Sequence, residues 1–190
     1  MAHGFVRDGD DFETRLEPIE CTTLRQLLAE LTALLDVDGD DRQSSTDPLA
    51  KQLGLEDLDQ SAVVAPADPV LARLLPDGYS DDDDAAAEFR RFTDSALRRG
   101  KQQDAATVLA GIDQAEADEQ GSVSIDEPTA MAWMRSINDL RLALGVQLEI
   151  DDDLAADLSS IPDDDPRAAA AAIYEFLTWW QDTLVIALMD

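Results

Sequence analysis

The chain has 190 residues and sets 42 acidic side chains against 14 basic ones, a formal net charge of −28. A surface of that sign repels polyanions, which counts against duplex DNA, RNA and anionic membranes as direct partners. With 45% apolar residues the chain is not compositionally disordered, and its length predicts one domain, 1–190, whose core needs no disulfide or metal to hold it.

Phe5 to Leu16 carries Asp8-Gly9 between two short alternating stretches, a turn signal that predicts a β-hairpin within residues 1–16. Pro18 suits a first helical turn, and Leu24, Leu27, Leu28, Leu31, Leu34 and Leu35 recur at helical spacing, so an amphipathic helix is expected to end near Gly39. Residues 38–47 form an acidic, serine-containing loop. A short helix from Pro48 to Leu53, stopped by Gly54, and an irregular stretch over 55–67 follow. Asp68-Pro69 opens a short helix over Val70 to Leu75, closed by Pro76, Asp77 and Gly78.

The acidic stretch at 80–84 includes four consecutive aspartates, Asp81 to Asp84. They precede an alanine-rich helical pattern and suit the positive end of the helix dipole. That helix sets Phe89, Phe92 and Ala96 on one face and carries Arg98 and Arg99. Gly100 could stop it, yet Ala105, Val108, Leu109 and Ile112 resume the spacing, so one long helix with a joint and two helices both fit. After Gly121 the period becomes two, and Val123 and Ile125 share one side of a strand. Asp126 is placed to cap a helix whose buried face is Trp133, Met134, Ile137, Leu140 and Leu144, with Gly145 as its stop. Val146, Leu148 and Ile150 alternate as a second strand, expected to pair with the first in a small ribbon. Residues 151–165 read as an acidic loop with one helical turn near Leu154 to Leu158. The segment from Pro166 to Met189 is apolar almost all round, the pattern of a central helix packed on several sides.

Candidate chemistry is sparse. Asp36, Asp38, Asp40 and Asp47 fall at positions 1, 3, 5 and 12 of an EF-hand count. Position 6 is Asp41 instead of glycine, position 8 is Gln43, and position 12 lacks the longer glutamate, so a solvated linker is the better reading. The runs at 151–153 and 163–165 read the same way, and no metal or other cofactor is expected. Cys21 lies on the leucine stripe. The helix start lowers its pKa while Glu17, Glu20 and burial raise it, which makes it a core residue before a reactive thiol. Trp133, Trp179 and Trp180 suit a core or a dimer contact better than a cofactor pocket. Asn138, Asp139 and Arg141 are polar residues inside an apolar helix and need partners. Arg135 is spaced to pair with Asp139 along the helix, and Arg141 can reach groups on another helix. A buried polar network is the first reading of this trio, a docking hot spot the second.

A single cysteine forbids an internal disulfide and fits a reducing, cytoplasmic setting. The only histidine, His3, is terminal, so Ser-His and Cys-His catalysis find no positioned base. No apolar run approaches the roughly 20 residues of a membrane-spanning helix, and the start MAHGFVRDGDD lacks a signal-peptide core.

The stretches INDLRLALGVQLEI (137–150), YEFLTWWQDTLVIALM (174–189), DPVLARLLPDGY (68–79) and EFRRFT (88–93) together resemble an actinobacterial family of unknown function that includes an oxidative-stress transcriptional regulator. The likeness covers most of the chain in the same order, while the acidic loops at 38–47, 80–84 and 151–165 are particular to this sequence. The resemblance implies a redox-responsive protein that contacts an alternative sigma factor of RNA polymerase and raises transcription of a cysteine-biosynthesis operon, and it implies no active site. A cysteine-pair sensor does not fit a chain in which Cys21 stands alone, which leaves a mixed disulfide, a sulfenic acid or no redox role.

The expectation is therefore a mainly α, single-domain helical bundle with a small two-stranded β ribbon and an N-terminal hairpin. It would act in the cytoplasm as a non-catalytic regulator through a protein partner, with a homodimer left open. The alternatives are a metal-binding or enzymatic protein using the acidic clusters, and an acidic interaction domain whose charge serves solubility.

Overall fold

The computed structural model describes residues 3–36, 64–79, 81–150, 158, 161–162 and 164–190. The chain starts with the expected hairpin, β1 (His3–Asp8) and β2 (Asp11–Arg15). Its loop is Gly9-Asp10, one residue later than the Asp8-Gly9 signal suggests, because Asp8 and Asp11 pair across it. Gly9 takes φ +65°, which favours glycine at the first loop position.

α1 (Pro18–Asp36) opens with Glu20 accepting the Glu17 N–H at 2.8 Å, and buries Cys21, Leu24, Leu28, Leu31 and Leu35 along one stripe. The expected continuation to Gly39, the 38–47 loop and the 48–53 helix lie outside the described residues. α2 (Pro69–Leu74) is capped by Asp68, whose carboxylate accepts the N–H groups of Val70 and Leu71.

α3 (Asp83–Ala117) is a single 35-residue helix, about 52 Å long at the usual rise, capped by Asp82 through the Ala85 N–H. It runs through Gly100, which has open space where a side chain would stand. The Phe89–Phe92–Ala96 face is not its core face. Phe92 is exposed beneath the Arg91 guanidinium and Ala96 is exposed, whereas Ala86, Asp94 and Arg98 turn inward. Further along, Ala105, Gly111 and Ala115 are small enough to let neighbouring helices approach closely. At Gly111 the indole of Trp133 occupies the space that a Cβ would need.

β3 (Ser122–Ile125) buries Val123 and Ile125, as its alternation predicts, but its partner is β2. The sheet is three-stranded and antiparallel in the order β1-β2-β3, with Phe12 opposite Ile125 and Thr14 opposite Val123. Residues 146–150 are not a strand. α4 (Glu127–Gln147) continues past Gly145, and the chain leaves it through a Schellman cap. Ile150 N–H donates to the Gly145 carbonyl, Glu149 N–H donates to the Val146 carbonyl, and Glu149 sits at φ +56°. Five alternating residues also place Val146 and Ile150 four apart, so the same letters fit a helix end. Beyond it Leu148, Leu158 and Ala171 form a small satellite cluster. The turn expected near 154–158 lies, apart from the buried Leu158, outside the described residues.

α5 (Ala168–Met189) follows an Asp165–Arg167 ion pair and buries Ala171, Leu177, Trp180, Leu184 and Ala187. It packs on α4 and β1 and is not enclosed: Trp179, Val185, Ile186 and Met189 stay exposed. Composition shows that a helix is apolar, not how many neighbours cover it.

One core joins these elements from Phe5 to Ala187. At its centre the rings of Trp133 and Trp180 lie 5.5 Å apart, and Phe5 from the hairpin approaches them at 5.7 and 5.1 Å. Offset and edge-on aromatic pairs of this kind contribute about 0.5–1.5 kcal/mol beyond area burial. The Trp180 Nε1–H donates to Thr14 Oγ1 at 3.3 Å, tying α5 to the sheet. Among the described residues no helix is long and apolar enough to cross a membrane.

Candidate interaction site

At mid-length an open groove with a cavity of about 440 Å³ lies between α3 and α4. Leu97, Lys101 and Asp104 line it from α3, at helical spacing on one face. Met134, Arg135, Asn138 and Asp139 line it from α4, and Gln181 lines it from α5. The walls are largely apolar, while two ion pairs cross between the helices. Arg135 forks onto Asp104 with both oxygens at 2.7 Å, and Lys101 Nζ lies 2.6 Å from Asp139 Oδ1. The intrahelical Arg135–Asp139 pair expected from spacing is thus replaced by two cross-helix pairs, in which α3 supplies a better-aligned partner for each.

Asp139 is almost fully buried, and loss of solvation pushes its carboxyl above the ordinary aspartate value, against the Lys101 hydrogen bond and charge that pull it down. Asn138 is half-buried at the groove, and its amide has no hydrogen-bond partner among the described residues. Arg141 does not line the groove. Its guanidinium donates to Thr178 Oγ1 and Gln181 Oε1 and lies 5.4 Å from the Tyr174 ring, so it joins α4 to α5. The structure brings Asn138 and Asp139 together at a surface and gives Arg141 a place within the fold.

Cys21 is buried on the α1 stripe. Burial, then the charges of Glu116 and Glu20, push its thiol up, and Arg25 only partly offsets them. Spacing identified Glu20 but not Glu116, which arrives from the far end of α3. Such a thiol is poorly ionised and poorly reached, the opposite of a reactive cysteine.

Of the EF-hand-like set, Asp36 is the last residue of α1 and accepts a hydrogen bond from Gln102, while Asp38, Asp40 and Asp47 lie outside the described residues. Among the described residues no group of three or more histidines, cysteines or acids is placed to hold a metal ion. Trp133 and Trp180 are core residues and Trp179 is on the surface. Sequence reading missed the buried charged pair of α3: Asp94 and Arg98 are buried together, and the i,i+4 spacing of opposite charges was the available signal.

A helical domain with a three-stranded antiparallel sheet and an open groove between α3 and α4 is the architecture these elements define among the described residues. The chain belongs to the family described as "Domain of unknown function (DUF2017)", whose model matches residues 2–188. It is 36% identical over 195 residues to proteins called oxidative stress regulator AosR in Mycobacterium tuberculosis and Mycobacterium bovis, with 97% of this chain and 85% of each relative covered. No solved structure matches it.

Proposed function

We propose that this chain is a non-catalytic cytoplasmic regulator of an oxidative-stress response, and that it acts by binding a protein partner, a sigma factor of RNA polymerase. The observation that carries the reading is the 36% identity, over nearly the whole chain, to proteins named for that role. The charge of −28 supports it physically: duplex DNA gains little from such a surface, whereas the basic DNA-binding surface of a sigma factor is steered towards it. The α3–α4 groove offers a recognition point in which the free amide of Asn138, beside the Lys101–Asp139 pair, reads a polar group on the partner.

Any oxidant response of this chain does not run through an internal disulfide, because Cys21 has no second cysteine to pair with. Purified chain tested against each sigma factor of its source, free and bound to core polymerase, checks the reading. Saturable binding to one sigma factor, weakened by Asn138→Ala, is expected. Sequence-selective binding of the chain itself to duplex DNA, with no sigma factor bound, would overturn it.

A further inference from the structure

Several large apolar side chains that the core leaves outside fall on one side of the molecule. Along α5 the exposed positions Ala172, Glu175, Trp179, Asp182, Ile186 and Met189 follow each other at steps of three and four, so they form one stripe. Ile186 is 61% exposed and Trp179 43%. At the N-terminal end the stripe opens into a second cavity, of about 190 Å³, between α5 and the start of α1, lined largely by the apolar side chains of Ile19, Leu24, Ala172, Ile173 and Phe176 together with Glu20. Phe176 and Trp179 lie 6.2 Å apart and join the cavity to the stripe. Large apolar side chains exposed together along one side of a helix, here interrupted by two acids, mark an interaction site more often than chance exposure.

The charged residues on the α5 stripe and in the cavity lining, Glu20, Glu175 and Asp182, are all acidic. Glu175 and Asp182 sit within the stripe without an ion-pair partner among the described residues, and α5 holds neither lysine nor arginine between Ala168 and Met189. A second copy would bring those carboxylates against their own equivalents, between two molecules that each carry −28. A nucleic acid or an anionic membrane meets the same repulsion. A helix with an apolar side flanked by lysine or arginine meets none of it. Its apolar anchors would pack on Ile186, Trp179 and the cavity at Ile19, its cations would face Glu20, Glu175 and Asp182, and a guanidinium would lie against the Trp179 ring. From Ala172 to Met189 the stripe is about 26 Å long, which matches a partner helix of roughly 17 residues.

We infer that the exposed face of α5, with the cavity at its junction with α1, is a docking surface for a basic amphipathic helix of a protein partner. The inference rests on the reading of the chain as a regulator that works by protein contact, and it adds a second contact surface to the α3–α4 groove.

A fluorescent 18-residue peptide, with leucines on one helical side and arginines flanking them, tests it by anisotropy against the full chain. Its scrambled counterpart of equal charge measures general attraction to an acidic protein. The designed peptide is expected to bind at least about tenfold more tightly than the scramble, a ratio worth about 1.4 kcal/mol. Ile186→Ser and Trp179→Ser, which leave the charge unchanged, should each remove most of that advantage. Glu175→Gln with Asp182→Asn should weaken binding more than Asp10→Asn with Glu119→Gln, a control pair that removes equal charge elsewhere. Equal affinity for both peptides, or indifference to the α5 substitutions, overturns the docking surface. So does an α5-dependent dimer in sedimentation without peptide binding.

Sigma-factor capture, run beside it, separates the two ideas. If wild type and the α5 variants capture the sigma factor equally, the surface is wrong and the regulator reading stands. If the peptide arm succeeds while no sigma factor binds, the surface stands and the sigma-factor reading fails.

Discussion

Arg98 Nε lies 2.8 Å from Asp94 Oδ2, one turn back on α3, and Arg98 Nη1 donates to the Leu35 carbonyl at 3.0 Å. Both side chains are almost fully buried, at 6% and 3% exposure. The Leu35 carbonyl is one of the last-turn acceptors of α1, a helix with no basic residue in its own last turn. One guanidinium therefore balances a buried carboxylate and closes the end of another helix. Arg98→Ala should cost about 3–5 kcal/mol, the range for breaking a buried pair by removing one partner. Urea unfolding checks it, and a loss under about 1 kcal/mol would show that the pair does not hold α1 to α3.

Gly111 should reverse the usual effect of helical glycine. In an open helix Gly→Ala gains about 0.5–1 kcal/mol. Here the added methyl meets the Trp133 indole, which the core holds rigidly between Phe5 and Trp180. Gly111→Ala is expected to destabilise by about 1–3 kcal/mol, the cost of overpacking. Gly100→Ala, with nothing near its added Cβ, is the internal control and should be neutral or stabilising.

Burial holds the Asp139 carboxyl above its ordinary value of 3.8. A group raised in the folded state contributes stability that is complete below its unfolded pKa and is lost as pH rises through the folded one. Wild type should therefore lose stability relative to Asp139→Asn as pH climbs from about 4 towards 7. Urea midpoints of the two proteins across that range decide the matter. A wild type that gains on the variant instead would mean that Lys101 dominates and the carboxyl is held low.

The Cys21 thiol should resist a disulfide reagent in the native state, because it is buried and its pKa is raised. Labelling is expected to accelerate with urea in step with unfolding and to be slow without it. Labelling of the native chain at the unfolded rate would make Cys21 an accessible sensor.

Local signals were the readable ones. Asp68, the Asp81–Asp84 run and Asp126 announce helix starts, and the carboxylates of Asp68, Asp82 and Asp126 accept backbone N–H groups there. The leucine stripe of α1 and the hairpin around Gly9 follow from spacing and turn chemistry alone. What escaped is non-local. β3 pairs with β2 across more than a hundred residues, so its neighbour 146–150 looked like the partner although a helix end could use the same five residues. The candidate groove was half legible: Asn138 and Asp139 stand out as polar letters in an apolar helix, but Lys101, Asp104 and Leu97 come from a helix that only the fold sets opposite them. The exposure of Trp179 and Ile186 could not be read from their own segment, because it depends on which elements fail to cover α5.

The association rate of the purified chain with the sigma factor proposed as its partner, followed by stopped flow as salt rises from about 0.05 to 0.5 M, tests the proposed electrostatic docking most directly. A fall of at least about tenfold across that range is expected, with the dissociation rate changing much less. A rate indifferent to salt would contradict it.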